Sequence, residues 1–313
     1  MGTIRVNVDN FARAESDRMF AAVLHDAGAV DQWTHNRVPT PIDHQPVIRQ
    51  NRDTLYSAAI IDISQGAAMT IPDAGDRYIS AMPVNEDHYV NDVFYEAGRH
   101  ELTQDGFDTP YVLLAVRILV DPGDPNDLAE VNALQDRLVI EAGSAKPFVL
   151  PGYDEASFSA TRTSLIELAR GLGGFDRAFG RKDAVDPVRH LIGSAAGWGG
   201  LPDEHAYYEN VEPGLPVGEY KLTVRDVPVD AFWSVSLYNA DGYFQANDRD
   251  AYSVNNLTAK PNDDGSVTIH FGGNDDRPNL LPIMEGWNYT VRLYRPRPEI
   301  LSGEWRFPAV EPA

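Results

Sequence analysis

The segment Arg49–Gln50–Asn51–Arg52–Asp53–Thr54–Leu55–Tyr56–Ser57 gathers two guanidiniums, a carboxylate, two amides and a phenol just ahead of an apolar run. On a strand, Asn51, Asp53 and Leu55 face one way and Arg52, Thr54 and Tyr56 the other. Arg52 is suited to an anionic or carbonyl oxygen, and Asp53 to a base or an orienting group. A structural Arg–Asp pair is the commoner fate of such a cluster. A second segment, Asn85–Glu86–Asp87–His88–Tyr89–Val90–Asn91–Asp92, sets three carboxylates around one histidine. They could raise the imidazole pKa, hold it as an acid/base group, or bind a cation with His35 and His44 as further donors. A solvated acidic turn entering a strand is the plainer reading.

Aromatic side chains near polar or glycine-rich segments supply the walls of a candidate pocket: Trp33, Trp198, Tyr207, Tyr208, Trp233, Tyr238 and Tyr243. Trp233 lies inside a strand pattern and reads as core. Trp198, in Gly197–Trp198–Gly199–Gly200, has little local packing of its own and is the more suggestive. The working site therefore has Asp53, Arg52, Tyr56 and His88 as catalytic candidates. Asn51, Trp33, Asn91, Trp198 and Tyr238 are the substrate-binding candidates. No cofactor and no metal are expected.

Several chemistries are excluded by what is missing. With no cysteine there is no thiol nucleophile, iron–sulfur cluster or thiolate zinc site. No G-x-S-x-G elbow, H-E-x-x-H helix or P-loop occurs. Gly193–Ser194 lies near Gly197 but lacks the elbow spacing. Gly171–Gly174 reads as a helix cap and not a dinucleotide loop. The net charge of −21 repels phosphate backbones and anionic membranes. Only Lys146, Lys182, Lys221 and Lys260 represent lysine. No apolar run approaches the ~20 residues of a bilayer span, and the opening MGTIRVNVDNFARAESD lacks a signal peptide's apolar region. A soluble, cytoplasmic chain is expected.

The elements that must carry these residues follow from periodicity. Phe11, Phe20, Val23 and Leu24 fall on one helical face, with Asp9 as cap and Gly28 as stop. Short strands follow at Leu55–Ile63, Ala67–Ile71, Tyr78–Val84, His88–Tyr95 and Tyr111–Val120. Pro125 opens a helix striped by Leu128, Val131, Leu134 and Leu138. A second helix spans about Asp154 to Leu172, and a short one Phe175–Phe179. Strands resume at Glu219–Val224, Ala231–Tyr238, Ser266–Phe271 and Tyr289–Tyr294. No repeat of fixed period appears. The expected fold is mainly β with helical insertions: two β-sandwich or jelly-roll-like halves joined by a helical middle segment. The expected boundaries are 1–145, 146–196 for the helical connector, and 197–313.

These motifs also carry a family resemblance. Asn51–Arg52–Asp53–Thr54–Leu55–Tyr56–Ser57, the Arg77–Tyr78 strand and Asp87–His88–Tyr89–Val90–Asn91 resemble the domain-of-unknown-function family numbered 1254. The C-terminal half is similar to the companion family numbered 1214, through four marks. They are Gly197–Pro202, Phe232–Tyr238, Asp241–Gly242–Tyr243–Phe244, and Leu281–Pro282 through Arg292–Pro296. The resemblance implies a two-part, β-rich, soluble homo-oligomer and supplies no catalytic residues. Some members carry a carboxylesterase label, which the missing serine elbow does not support.

Two functions follow as expectations. One is a hydrolase or lyase acting on a small polar metabolite in a pocket between the two halves. There Asp53 or His88 moves a proton, Arg52 and Tyr56 stabilise negative charge, and Trp198 and Tyr238 shape the wall. The other is a non-catalytic binder of a carbohydrate or other small ligand. Neither involves nucleic acid or membrane.

Overall fold

The computed structural model describes residues 3–45, 48–273 and 276–313. The protein is mainly β with helices, as expected, but its two compact units are interleaved in sequence. The first takes residues 1–37, 55–119 and 128–202, and the second 38–54, 120–127 and 203–313.

The first unit opens with α1 (Phe11–Ala27), closed by Gly28 at φ 87°, a left-handed conformation that glycine adopts at little cost. Its cap position is Asn10, without a side-chain cap bond, and not Asp9. Then come β1 (Thr34–His35), β2 (Thr54–Asp62), β3 (Ala67–Ile71), β4 (Ile79–Asn85), β5 (Gly98–Leu102) and α2 (Gln104–Phe107). β6 (Tyr111–Leu119), α3 (Pro125–Gln135), β7 (Val139–Ala142), α4 (Glu155–Ala169) and α5 (Pro187–Ala196) complete this part of the chain. One sheet has the order β1-β2-β6-β4 and a smaller one β5-β3-β7.

Two expected elements are replaced. His88–Tyr95 is not a strand, because His88 turns the chain at φ 65°. Asn85 closes that turn by accepting from the Asp87 and Tyr89 amides, both at 2.9 Å. Phe175–Phe179 is a turn and not a helix. In contrast, α5 was not anticipated. Asp186 caps it by accepting from the Val188 and Arg189 amides, and Pro187 occupies its first turn. Nor does segment 146–196 stand apart as a connector. Phe158 and Leu165 of α4, Ile192 and Ala195 of α5, and Phe11 and Ala14 of α1 share one apolar cluster, because none of these helices can bury its apolar stripe alone.

The second unit holds β8 (Ala206–Val211), β9 (Tyr220–Val224), β10 (Trp233–Tyr238), β11 (Ser253–Asn255) and β12 (Val267–Phe271). β13 (Leu280–Leu281), β14 (Asn288–Tyr294), α6 (Pro298–Leu301) and β15 (Glu311–Pro312) follow. Its sheets, β11-β10-β14-β8 and β13-β12-β9-β15, enclose one core. Trp233, Val235 and Leu237 of β10 and Tyr289, Val291 and Leu293 of β14 meet Leu222, Ile269, Phe271 and Leu281 there. Burying each such side chain contributes roughly 1.5–3 kcal/mol.

Strand alternation then fixes the other face of the first of these sheets. It carries Ser234, Ser236 and Tyr238, then Asn288, Thr290, Arg292 and Tyr294, and Ser253 and Asn255. Ser234 stands opposite both Asn255 and Arg292, and Ser236 opposite both Ser253 and Thr290. Among the described residues no helix is long and apolar enough to cross a membrane.

Candidate functional site

In most antiparallel sheets with one apolar face, the polar face meets water. Here the polar face of the second unit is buried: Arg292 is 4% exposed, and Ser234, Ser236 and Asp53 are fully enclosed. Segment 49–54, in the same unit, packs on it. Arg292 donates from Nη1 to Ser236 Oγ, and from Nη2 to the Arg49 carbonyl and the Tyr238 hydroxyl, each at 2.8 Å. Burial alone would lower its pKa, but Tyr238, Tyr294 and Asp53 outweigh that and raise it. The guanidinium is therefore a fixed charge. Tyr238 donates to the Gln50 carbonyl at 2.8 Å. Burial pushes this phenol up against the pull of Arg292, so it acts as a neutral hydroxyl.

Asp53 is held from one side. Its Oδ1 accepts from Ser253 Oγ at 3.1 Å and Asn255 Nδ2 at 3.0 Å. Its amide donates to Asn51 Oδ1 at 2.8 Å. Asn51 in turn donates to Thr54 Oγ1 and to the Tyr294 hydroxyl. Among the described residues Asp53 Oδ2 and Ser234 Oγ are buried without a hydrogen-bond partner. Arg52 is half-buried beside them, donating to the Thr40 carbonyl with its guanidinium 5.1 Å from the Tyr252 ring centre. Burial lowers its pKa, with Asp250 and Tyr252 opposing. A carboxylate fixed through one oxygen can accept an O–H or N–H from a ligand on the other, or take its proton.

Four of the expected residues, Asn51, Arg52, Asp53 and Tyr238, thus lie in this one cluster. Arg292, Ser234, Ser253 and Asn255 were missed. Their signal is visible in the strands, where polar side chains occupy every second position, but that pattern ordinarily marks a solvated face.

Tyr56, His88 and Trp198 meet in the first unit instead, through the glycine segment. The Gly199 amide donates to His88 Nε2 at 2.9 Å, and the Gly199 carbonyl accepts from Arg117 at 2.6 Å. The Arg117 guanidinium lies 5.5 Å from the Tyr56 ring centre. Trp198 stacks on His88 with centroids 5.0 Å apart and donates from Nε1 to Ser16 Oγ. Gly200 is required there, since a Cβ would meet the Phe179 ring at 2.2 Å.

His88 Nδ1 lies 2.8 Å from Ser194 Oγ, a serine–histidine contact with the wrong polarity for a nucleophile. Because Nε2 accepts from an amide, Nδ1 must carry the proton and donate it to Ser194. The serine hydroxyl then donates to the His190 carbonyl at 2.9 Å. No lone pair is left facing the serine proton, which general-base activation needs.

The expectation that the acidic turn raises the His88 pKa is overturned. The turn aims Asp87 and Glu86 at Arg13 and the imidazole into the interior. Burial, with His190 alongside, drives the His88 pKa well below its usual value.

Trp33 stacks on His35, with its Nε1 buried and unpartnered among the described residues. His35 faces Ser57 Oγ at 2.8 Å, and burial lowers its pKa. Asn91 is spent at the surface on the Gly106 carbonyl and Asp108. Among the described residues no three His, Asp or Glu side chains converge to hold a metal ion.

Residues 30–107 match the family described as a protein of unknown function, DUF1254, and residues 213–298 match a second, DUF1214. The pairing and its order are those that the sequence motifs implied. The crystal structure of the VPA0106 protein from Vibrio parahaemolyticus is similar over 98% of this chain and 100% of its own. Its TM-score is 0.72 at 20% identity. An uncharacterised protein from Burkholderia cenocepacia is similar over 97% of this chain and 87% of its own, with a TM-score of 0.54 at 14% identity. At such identities the likeness is one of fold. No curated protein matches the chain. The carboxylesterase label finds no support in these comparisons.

Proposed function

We propose that the polar face of the second unit binds a small polar organic molecule, with Asp53 as the group that receives it. The observation that carries this reading is the buried Asp53 Oδ2, unpartnered while Ser253 and Asn255 hold its twin. Buried polar atoms are nearly always hydrogen-bonded, so an exception asks for a donor. Ser234 adds a second such atom. A ligand offering a hydroxyl or amine to Asp53 Oδ2 satisfies the site. The test is a calorimetric screen of small polyols, sugars and hydroxy acids against the wild type and Asp53→Asn. Loss of the charge-assisted bond should weaken a hit by roughly 10- to 100-fold, with the fold intact by circular dichroism. Unchanged affinity in the variant would remove Asp53 from the site.

A second reading, a hydrolase or lyase, is favoured by the same one-sided grip, which orients Oδ2 to take a proton. It adds one requirement: a hit must be converted to product, and Asp53→Asn must abolish the conversion. Binding without conversion leaves the protein a binder.

A further inference from the structure

The opposite, apolar side of the same sheet carries a charged group of its own. Edge strand β8 pairs with β14 so that Glu209 stands opposite Val291 and Val211 opposite Tyr289. Tyr207 and Val211, two residues to either side of Glu209, pack against the sandwich core. Alternation therefore turns Glu209 inward with them. A groove of about 360 Å³ opens there, walled by Val211, Leu215, Tyr289, Val291 and Phe307, with Glu209 in its lining. Burial pushes the Glu209 carboxyl up, and the charge of Arg306 opposes it. No hydrogen bond or ion pair reaches that carboxylate among the described residues.

We infer that this groove is a binding site for small amphipathic amines, with the apolar part against Tyr289, Val291 and Phe307 and the ammonium paired with Glu209. The volume is at the small end for ligand sites and suits a single ring or short chain. Charge selects the head group. A carboxylate ligand would face Glu209, and a neutral one would leave that charge desolvated and unpaired. An ammonium relieves it, in a field that already favours cations at a net charge of −21. An inward-facing charge on an edge strand can also serve only to deter strand pairing. That role needs no ligand and predicts no binding.

The experiment titrates the full chain with phenethylamine, phenethyl alcohol and phenylacetate. It is read by calorimetry and by tryptophan fluorescence, since Trp287 stacks near Tyr289 and Trp305 packs edge-on against Phe307. The amine is expected to bind about tenfold or more tightly than the alcohol, and the acid not at all. Glu209→Gln should remove the amine's advantage and spare the alcohol. Asp53→Asn should leave the Glu209-dependent advantage of the amine over the alcohol in place, which separates this groove from the polar face. Three results would overturn the inference: no amine binding at millimolar concentration, equal affinity for amine and alcohol, or an amine affinity that Asp53→Asn abolishes and Glu209→Gln leaves alone. Should Glu209→Gln fail to fold, Val211→Trp fills the groove and must abolish amine binding.

Discussion

The two units each bury a polar cluster, and they resolve it in opposite ways. In the first, His88 spends both ring nitrogens, on Gly199 and Ser194, and Ser194 passes its proton to a helix carbonyl. In the second, Arg292 is tied at three points, while among the described residues Asp53 and Ser234 each keep an oxygen without a partner. A satisfied network rigidifies a core; an unsatisfied one is costly unless something completes it. The histidine that looks most catalytic in the sequence is therefore a structural pin. The chemistry worth testing lies with an aspartate held from one side.

Breaking the second cluster at its charge should have the largest effect. Arg292→Met strands the Arg49 carbonyl and leaves Asp53 without its compensating charge, so we expect a loss of about 3–5 kcal/mol in urea unfolding. A loss below ~1 kcal/mol would mean that the face does not depend on its cation. In the first unit, His88→Leu leaves the Gly199 amide and Ser194 hydroxyl unpaired, and should cost about 2–4 kcal/mol.

The His88 variant has a pH signature as well. The folded His88 pKa lies well below the unfolded value of about 6.5, so the unfolded chain binds the extra proton. The stability contributed by neutral His88 is complete above about pH 6.5 and is lost as pH falls below it. His190, also lowered by burial, adds in the same direction. His88→Leu should flatten, though not abolish, this decline between about pH 5 and 6.5. A slope unchanged from wild type would place the proton uptake elsewhere. Trp198→Phe is the mildest probe: it keeps the stack on His88 and loses the bond to Ser16, about 1 kcal/mol. A larger drop would show the ring itself to be the pin.

Much of the fold was legible because it rests on local signals. Phe11–Ala27 and its Gly28 stop appear as read, and β10 and β14 fall where Ala231–Tyr238 and Tyr289–Tyr294 read as strands. What alternation cannot tell is whether its polar phase meets water or a second layer of chain. Ser234, Ser236 and Arg292 look like a wetted face until segment 49–54 is laid over them. The site was half visible for the same reason. Asn51, Arg52 and Asp53 are contiguous and conspicuous, whereas Ser253, Asn255 and Arg292 are ordinary residues that matter only by register. His88 misled because its carboxylate neighbours suggest a charged histidine. One residue at φ 65° sends the ring inward, while Glu86 and Asp87 turn to Arg13. Helix α5 was missed although Asp186–Pro187 is a sound start signal.

The interleaving of the units sets an order on biosynthesis. Segment 38–54 belongs to the second unit, yet Asp53 finds Asn255 across 202 residues and Asn51 finds Tyr294 across 243. At roughly 5–20 residues per second of translation, that separation is on the order of 10–50 s. The strip leaves the ribosome well before the surface on which it docks. Until then its arginines and aspartate stay solvated, a state their charge suits well, and they surrender that water only when β10, β11 and β14 arrive to replace it.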